Sequence, residues 1–330
     1  MAMYVLDSLA DLNIDRTVVV VGHGAEQVTK TLQEQASSEL CVTFVEQVVQ
    51  RGTGDAVSIG LTAFEPSELD DEDVDIVVLA GDTPLLRAET ITALVEAHAE
   101  AGAGATVLTA VLPDASGYGR IVRDRDGRVA SIVEHKDATA EELAINEINT
   151  GVFCFRRSLL PAALRMVDTS NSQGEYYLTD VIGVLRGAGY GIGALIAEDP
   201  FESTGVNDRR QLAEAEVELR RRTNEKWMAE GVTMLDPSST YIDTTVILAH
   251  DVTVFPNTLI QGSTVIGEGV EVGPDCRLTD VVVGARSRIQ ATTAVDTEIG
   301  EGCVVGPYAS LSAGASVPSG TVTGPFYSAG

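Results

Sequence analysis

Residues 74–86, VDIVVLAGDTPLL, carry a continuous apolar run that stops abruptly at Ala80-Gly81-Asp82-Thr83-Pro84. Aliphatic residues broken by a single acid read as a buried parallel strand that delivers Asp82 to the carboxyl edge of a sheet. Ligands of open α/β sheets bind at that edge, and a carboxylate there suits a hard cation that neutralises phosphate oxygens. A helix-capping Asp after a strand fits the same stretch equally well.

Working outward, AMYVLDSLADL at 2–12 has helical spacing, and TVVVVGHG at 17–24 follows as a buried strand with a Gly-rich exit. A helix over 25–36, a strand CVTFVEQ at 41–47 and a helix beginning at Gly52 precede the central run. A helix over 88–102 and a strand at 105–112 follow it. This alternation predicts right-handed crossovers and a mainly parallel, doubly wound α/β sheet. It then loosens into a hairpin around Asp126-Gly127, a strand at 149–155, a polar loop entering a helix that ends at Gly187, and a strand at 190–197. A charged helix over 207–230 looks like a connecting arm, with Trp227 as a packing anchor.

Beyond it the period becomes six. Ile242, Leu248, Val254, Ile260, Ile266, Val272 and Leu278 recur at that spacing; a five-residue step leads to Val283, Ile289 and Val295, a four-residue step to Ile299, and sixes resume through Val305, Leu311 and Val317. A short fixed period of aliphatic residues, with glycine and small residues between, marks a parallel β-helix.

Composition sets the outer bounds. The 330 residues are 44% apolar with a formal net charge of −27, which argues against a nucleic-acid backbone or an anionic membrane as the main partner. Cys41, Cys154, Cys276 and Cys303 are too scattered for a zinc site or a disulfide framework. No run is long enough to span a bilayer, and Asp7 and Asp11 fall where a signal peptide would be apolar, so a cytoplasmic protein is expected. The four histidines lack metal spacing and accompany no nucleophile motif, so none is assigned a catalytic role.

Several loops are candidates for ligand contact, each with a plain structural alternative. Gln47 with Gly52-Thr53-Gly54 offers an amide and free backbone N–H groups at a helix start, or simply a strand-to-helix turn. Gly117-Tyr118-Gly119-Arg120 allows close backbone approach, or is a tight turn. Glu134 could bond a sugar hydroxyl or be a solvated strand-end acid. Asn207 could share a cation with Asp82 or cap the long helix.

Taken in order, QVVQRGTGDA, LAGDTPLL, SGYGRIV, SIVEHKDAT, INTGVF, NSQGEYYLTDVI and TGVN resemble the sugar-nucleotidyltransferase domain of the GlmU family, bifunctional UDP-N-acetylglucosamine pyrophosphorylases and glucosamine-1-phosphate acetyltransferases. The resemblance implies a Rossmann-like nucleotidyltransferase domain at 1–206, a connecting helix at 207–230 and a short left-handed parallel β-helix of hexapeptide repeats at 231–330. It further implies that Gln47, Gly52 and Thr53 hold the uracil nucleotide and that Asp82 and Asn207 hold Mg²⁺. Gly119, Glu134 and Asn149 would contact the N-acetylglucosamine part, with Ala80 and Gly81 completing the substrate site. The implied reaction joins UTP and N-acetylglucosamine-1-phosphate, with release of pyrophosphate, in a homotrimer. Another sugar-1-phosphate nucleotidyltransferase and a non-catalytic trimeric sugar-nucleotide-binding scaffold are the alternatives.

Three departures qualify that expectation. The family's opening strand and G-x-G-T-R-M loop have no counterpart here, which predicts a gap in the sheet and an inactive 330-residue chain. Asp55 replaces the family's His in GTGHA, and Ala80 a Tyr or Ser. In GPYASLSAGA, Ser312 stands where the family has Arg, and acetyltransferase activity is expected to be absent.

Overall fold

In the computed structural model, which describes residues 1–10, 12–35, 40–69 and 74–330, the three apolar runs ahead of Asp82 form strands β1 (Thr17–Val21), β2 (Val42–Glu46) and β3 (Asp75–Val78). The chain divides into two units, Met1–Gln211 and Leu212–Gly330. In the first, β1 and β2 pair in parallel from Thr17 opposite Val42 to Val21 opposite Glu46. Strands β4 (Ala105–Val111), β5 (Arg120–Arg123), β6 (Val129–Val133), β7 (Glu147–Arg156) and β8 (Ile192–Ile196) join β3 in a six-stranded sheet.

The expected parallel pairing holds for β1–β2 and for β4–β8. It does not hold around β7, which runs antiparallel to β3, β4 and β5. The β5–β6 hairpin reverses the chain, so β7 returns in the opposite direction and bridges β3 and β4. Along β7, Val152 and Cys154 enter one apolar cluster with Leu94 and Leu108, while Phe153 and Phe155 enter another with Val107 and Ile182. The sheet is therefore covered on both faces, as period-two alternation requires. Thr17–Val20 and all of β3 are only half-buried. Among the described residues β1 pairs with β2 alone and β3 with β7 alone, so each keeps one edge without a strand.

The helix after Asp82, Ala88–Ala101, buries Ile91, Leu94 and His98 and ends where Gly102 turns left-handed at φ 54°. The first helix is shorter than expected, Ala2–Asp7, although Leu9 beyond it is still buried. Residue 11 of the helix expected over 2–12, and residue 36 of that expected over 25–36, lie outside the described residues. A short helix, Ala140–Leu143, stands outside the predicted elements and starts at a capping box formed by Thr139 and Glu142.

In the second unit the aliphatic positions spaced by six become inward-facing rungs. Ile242 pairs with Ile260, Ile260 with Leu278, and Leu278 with Ala294. Together with Val254, Ile266, Val272 and Val305 they form one continuous core, into which Trp227 of the helix Arg209–Ala229 also packs. All pairings of this solenoid are parallel. One inward position differs from the expected set: Val295 is exposed, and Ala294 is fully buried in its place. The strand Thr293–Ile299 copies the short step of Arg277–Val283 beneath it, with Asp296 and Asp280 both at positive φ. Keeping Leu278 opposite Ala294 and Val283 opposite Ile299 preserves the ladder.

Candidate functional site

Asp82 leaves β3 on a turn fastened by Thr83, whose Oγ1 donates to the Ala80 carbonyl at 2.9 Å. Leu85 and Leu86, each 4% exposed, anchor the exit of this turn in the core. Asp82 does not cap the following helix, which starts only after Arg87 and has no side-chain cap. The capping alternative fails for Asn207 as well, because Asp208 Oδ1 accepts from Gln211 N at 2.8 Å at the head of the long helix. The two segments meet through the main chain, with Val206 N donating to Asp82 O at 2.9 Å. A Cβ added at Gly205 would rest 3.5 Å from Asp82 Oδ2, so the missing side chain leaves that oxygen open.

Asp82 and Asn207 line one cavity of about 270 Å³ with Gly119, Glu134, Asn149 and Gly151. Gly119 passes between its neighbours so closely that a Cβ would sit 3.3 Å from Ile132 Cγ2 and 3.4 Å from Glu134 Oε2. Its carbonyl accepts from Asn149 N at 2.9 Å, and Asn149 Oδ1 in turn accepts from Gly151 N at 3.1 Å. Glu134 Oε1 accepts from Thr179 Oγ1 at 3.0 Å. Burial pushes the Glu134 carboxyl above the usual range; the Thr179 hydrogen bond opposes this, and the charges of Asp180 and Asp137 add to it. The Tyr118 phenol on the same wall is also pushed up, first by burial, against a hydrogen bond with the Gly205 backbone and with a smaller push from Asp82. Tyr118, Thr150, Ser203 and Gln211 were not singled out as site residues. Tyr118 and Thr150 lie inside the GYGR and INTGVF stretches and Ser203 directly precedes TGVN, whereas Gln211 lies in the long helix with no motif to mark it.

Gln47, Gly52 and Thr53 form a separate group. Gly52 has φ 111°, and a Cβ there would lie 2.5 Å from Tyr176 O. Gly54 N donates to that same carbonyl at 2.8 Å, and Thr53 Oγ1 accepts from Leu178 N at 3.0 Å. The loop is thus sewn to the NSQGEYYL segment. Gln47, 7% exposed, directs its Nε2 to Asp55 Oδ2 at 2.8 Å and to Gly52 O at 3.3 Å. A Cβ added at Gly151 would lie 3.8 Å from Ala80 Cβ, while a Cβ at Gly81 would meet open space.

Two oxygen-bearing side chains, a carboxylate and an amide, are a donor set suited to a hard divalent cation. Asp75, His98 and Cys154 also bring ligand atoms within 4.8 Å of one another. There the His98 ring is satisfied internally, with Nδ1 2.9 Å from Thr106 Oγ1 and Nε2 3.4 Å from Asp75 Oδ1, as in a core histidine. Sequence spacing could not show this cluster, whose members come from a strand, a helix and another strand.

Residues 1–219 match the family model described as nucleotidyl transferase. The bifunctional protein GlmU of Heliobacterium modesticaldum is 43% identical over 326 residues, covering 99% of this chain and 69% of that protein. That of Exiguobacterium sibiricum is 44% identical over 326 residues, covering 99% and 70%. That of Streptomyces avermitilis is 48% identical over 312 residues, covering 94% and 63%. The loops gathered around Asp82 are therefore set in a chain that is a nucleotidyltransferase and belongs to the GlmU family.

Proposed function

We propose that the protein makes UDP-N-acetylglucosamine and pyrophosphate from UTP and N-acetylglucosamine-1-phosphate, a step that supplies cell-wall precursor synthesis. The observation that carries this reading is the convergence of Asp82, Asn207, Gly119, Glu134 and Asn149 on one cavity. In the reaction an oxygen of the sugar phosphate attacks the α-phosphorus of UTP in line. The bond from that phosphorus to the bridging oxygen breaks, and pyrophosphate leaves with its electron pair. No covalent protein intermediate is required, which agrees with a cavity lined by the carboxylates Asp82 and Glu134 and the amides Asn149, Asn207 and Gln211, with no histidine or cysteine among its described lining residues to form a nucleophile-base pair.

Members of this class depend on a divalent cation, and here Mg²⁺ is proposed, held by Asp82 and Asn207. When bound, it would neutralise charge on the phosphate oxygens. Glu134 and Asn149 orient the sugar by hydrogen bonding to its polar groups, and Gly119 lets the backbone approach. Gln47, with the Gly52-Thr53 turn, presents an acceptor edge to the base.

Assembly as a homotrimer through the β-helix is proposed as well. Its support is an outward ladder in which Ile247 lies beside Val265 and Val265 beside Val282, with Ile247 57% and Val282 50% exposed. A cytoplasmic location fits the use of UTP, and among the described residues no helix is long and apolar enough to cross a membrane.

The test is pyrophosphate release from UTP with N-acetylglucosamine-1-phosphate, run with these 330 residues and with a form extended upstream of Met1. Release that requires the sugar phosphate, in either form, supports the reading. Release in neither contradicts it.

A further inference from the structure

We infer that Glu202 is a positioning residue for the Asp82–Asn207 pair, its buried carboxylate fastening the turn that leads to Asn207 onto the helix that follows Asp82. The inference rests on the reading of those two residues as the cation's ligands. Glu202 sits in a single helical turn, Pro200–Ser203, and is only 4% exposed. Its Oε2 accepts from Thr90 Oγ1, and its Oε1 pairs with Arg87 Nε at 3.1 Å. Arg87 also reaches Asp199 Oδ2 at 3.2 Å, and Asp199 caps the same turn by accepting from Phe201 N at 3.0 Å.

The placement gives these contacts their meaning. Arg87 and Thr90 lie five and eight residues after Asp82 along the chain, and Glu202 precedes Asn207 with Ser203, Thr204, Gly205 and Val206 between. The intervening segments have little freedom: Thr83 and Ser203 are each 1% exposed, and Val206 is 8% exposed. The main-chain bond from Val206 to Asp82 is one tie between the two loops, and the Glu202 contacts are a second. One tie leaves a hinge, whereas two ties fix both separation and angle.

A buried carboxylate is costly unless charged or polar partners meet both oxygens, and here they do. Glu202 does not line the cavity, so its effect on the cation acts through Asp82 and Asn207. Residues that orient ligands in this way typically change metal affinity by about 10- to 100-fold when replaced.

The test uses the 330-residue chain, labelled with ¹⁵N, and Mn²⁺ as the probe. Paramagnetic broadening of the Gly205 amide reports Mn²⁺ at Asp82, and broadening of the Glu268 amide, in the exposed cluster of His250, Asp251 and Glu268, serves as an internal reference. In Glu202→Gln the Mn²⁺ concentration that half-broadens Gly205 should rise by about 10-fold or more, with the Glu268 midpoint unchanged. Thr90→Val, which keeps the carboxylate and removes one partner, should shift it in the same direction by less, and carries the test if Glu202→Gln does not fold. Equal Gly205 midpoints in these variants and the wild type, with Asp82→Asn raising it, overturn the inference but leave the cation site standing. A midpoint unmoved by Asp82→Asn overturns both.

Discussion

Gln47 and Asp55 are joined by a 2.8 Å hydrogen bond from the amide nitrogen of the first to a carboxylate oxygen of the second. The second amide hydrogen is directed to Gly52 O at 3.3 Å, so both donors of Gln47 are used within the protein and Oε1 remains as an acceptor. An acceptor suits the ring N–H of uracil and repels the acceptor nitrogen of cytosine. Asp55→Ala frees the amide to rotate and should lower the preference for UTP over CTP, in kcat/KM, by about 10-fold, the equivalent of one hydrogen bond of about 1.4 kcal/mol. An unchanged ratio would remove Asp55 from base selection.

Glu134, the proposed sugar contact, carries a carboxyl whose protonation makes stability depend on pH. Its folded-state pKa is raised by burial, so between the ordinary carboxyl value and the raised one the folded chain holds a proton that the unfolded chain has released. Stability contributed by this group is therefore present at low pH and declines as pH rises through that window. Glu134→Gln should melt at a higher temperature than wild type at pH 7, with the gap closing at pH 4. The same change should raise KM for the sugar phosphate about 10-fold. A gap that widens as pH falls would contradict the assigned cause.

Two glycines should behave oppositely. Gly52→Ala meets Tyr176 O at 2.5 Å in a left-handed backbone, and thermal or urea unfolding should show a loss of at least about 2 kcal/mol. Gly81→Ala meets open space and should stay within about 0.5 kcal/mol of wild type.

In the solenoid, Leu278→Ala removes a fully buried rung and should cost about 2–5 kcal/mol. Val295→Ser, at a position 42% exposed, should cost less than about 0.5 kcal/mol. Equal costs in urea titrations would restore Val295 to the core and displace Ala294.

Much of this architecture was legible in local pattern. The helix ending at Gly102, the Asp126-Gly127 hairpin and the rungs from Ile242 to Leu278 follow from periods of 3.6, 2 and 6 together with turn chemistry. The direction of β7 was not, because NTGVFCF looks the same in a parallel and an antiparallel partner, and long-range pairing decides between them. Ala294 was missed because a small residue in the core has weak apolar signal beside Val295, and only the register of the strand beneath discriminates. At the site, the loops supplied Asp82, Gly119, Glu134, Asn149 and Asn207 one at a time. Their meeting in one cavity, the Gln47–Asp55 bond and the Glu202 tie depend on contacts between residues far apart in sequence.

The proposed function requires the cavity at Asp82 to hold a sugar nucleotide together with a divalent cation. Calorimetric titration of UDP-N-acetylglucosamine into the 330-residue chain, with Mg²⁺ and then with a chelator, measures this directly, with Asp82→Asn alongside. The prediction is one binding site per chain that weakens by at least about 10-fold when Mg²⁺ is removed, and an Asp82→Asn variant that binds weakly and is indifferent to Mg²⁺. Binding of equal strength with and without Mg²⁺, unaltered in Asp82→Asn, would contradict it.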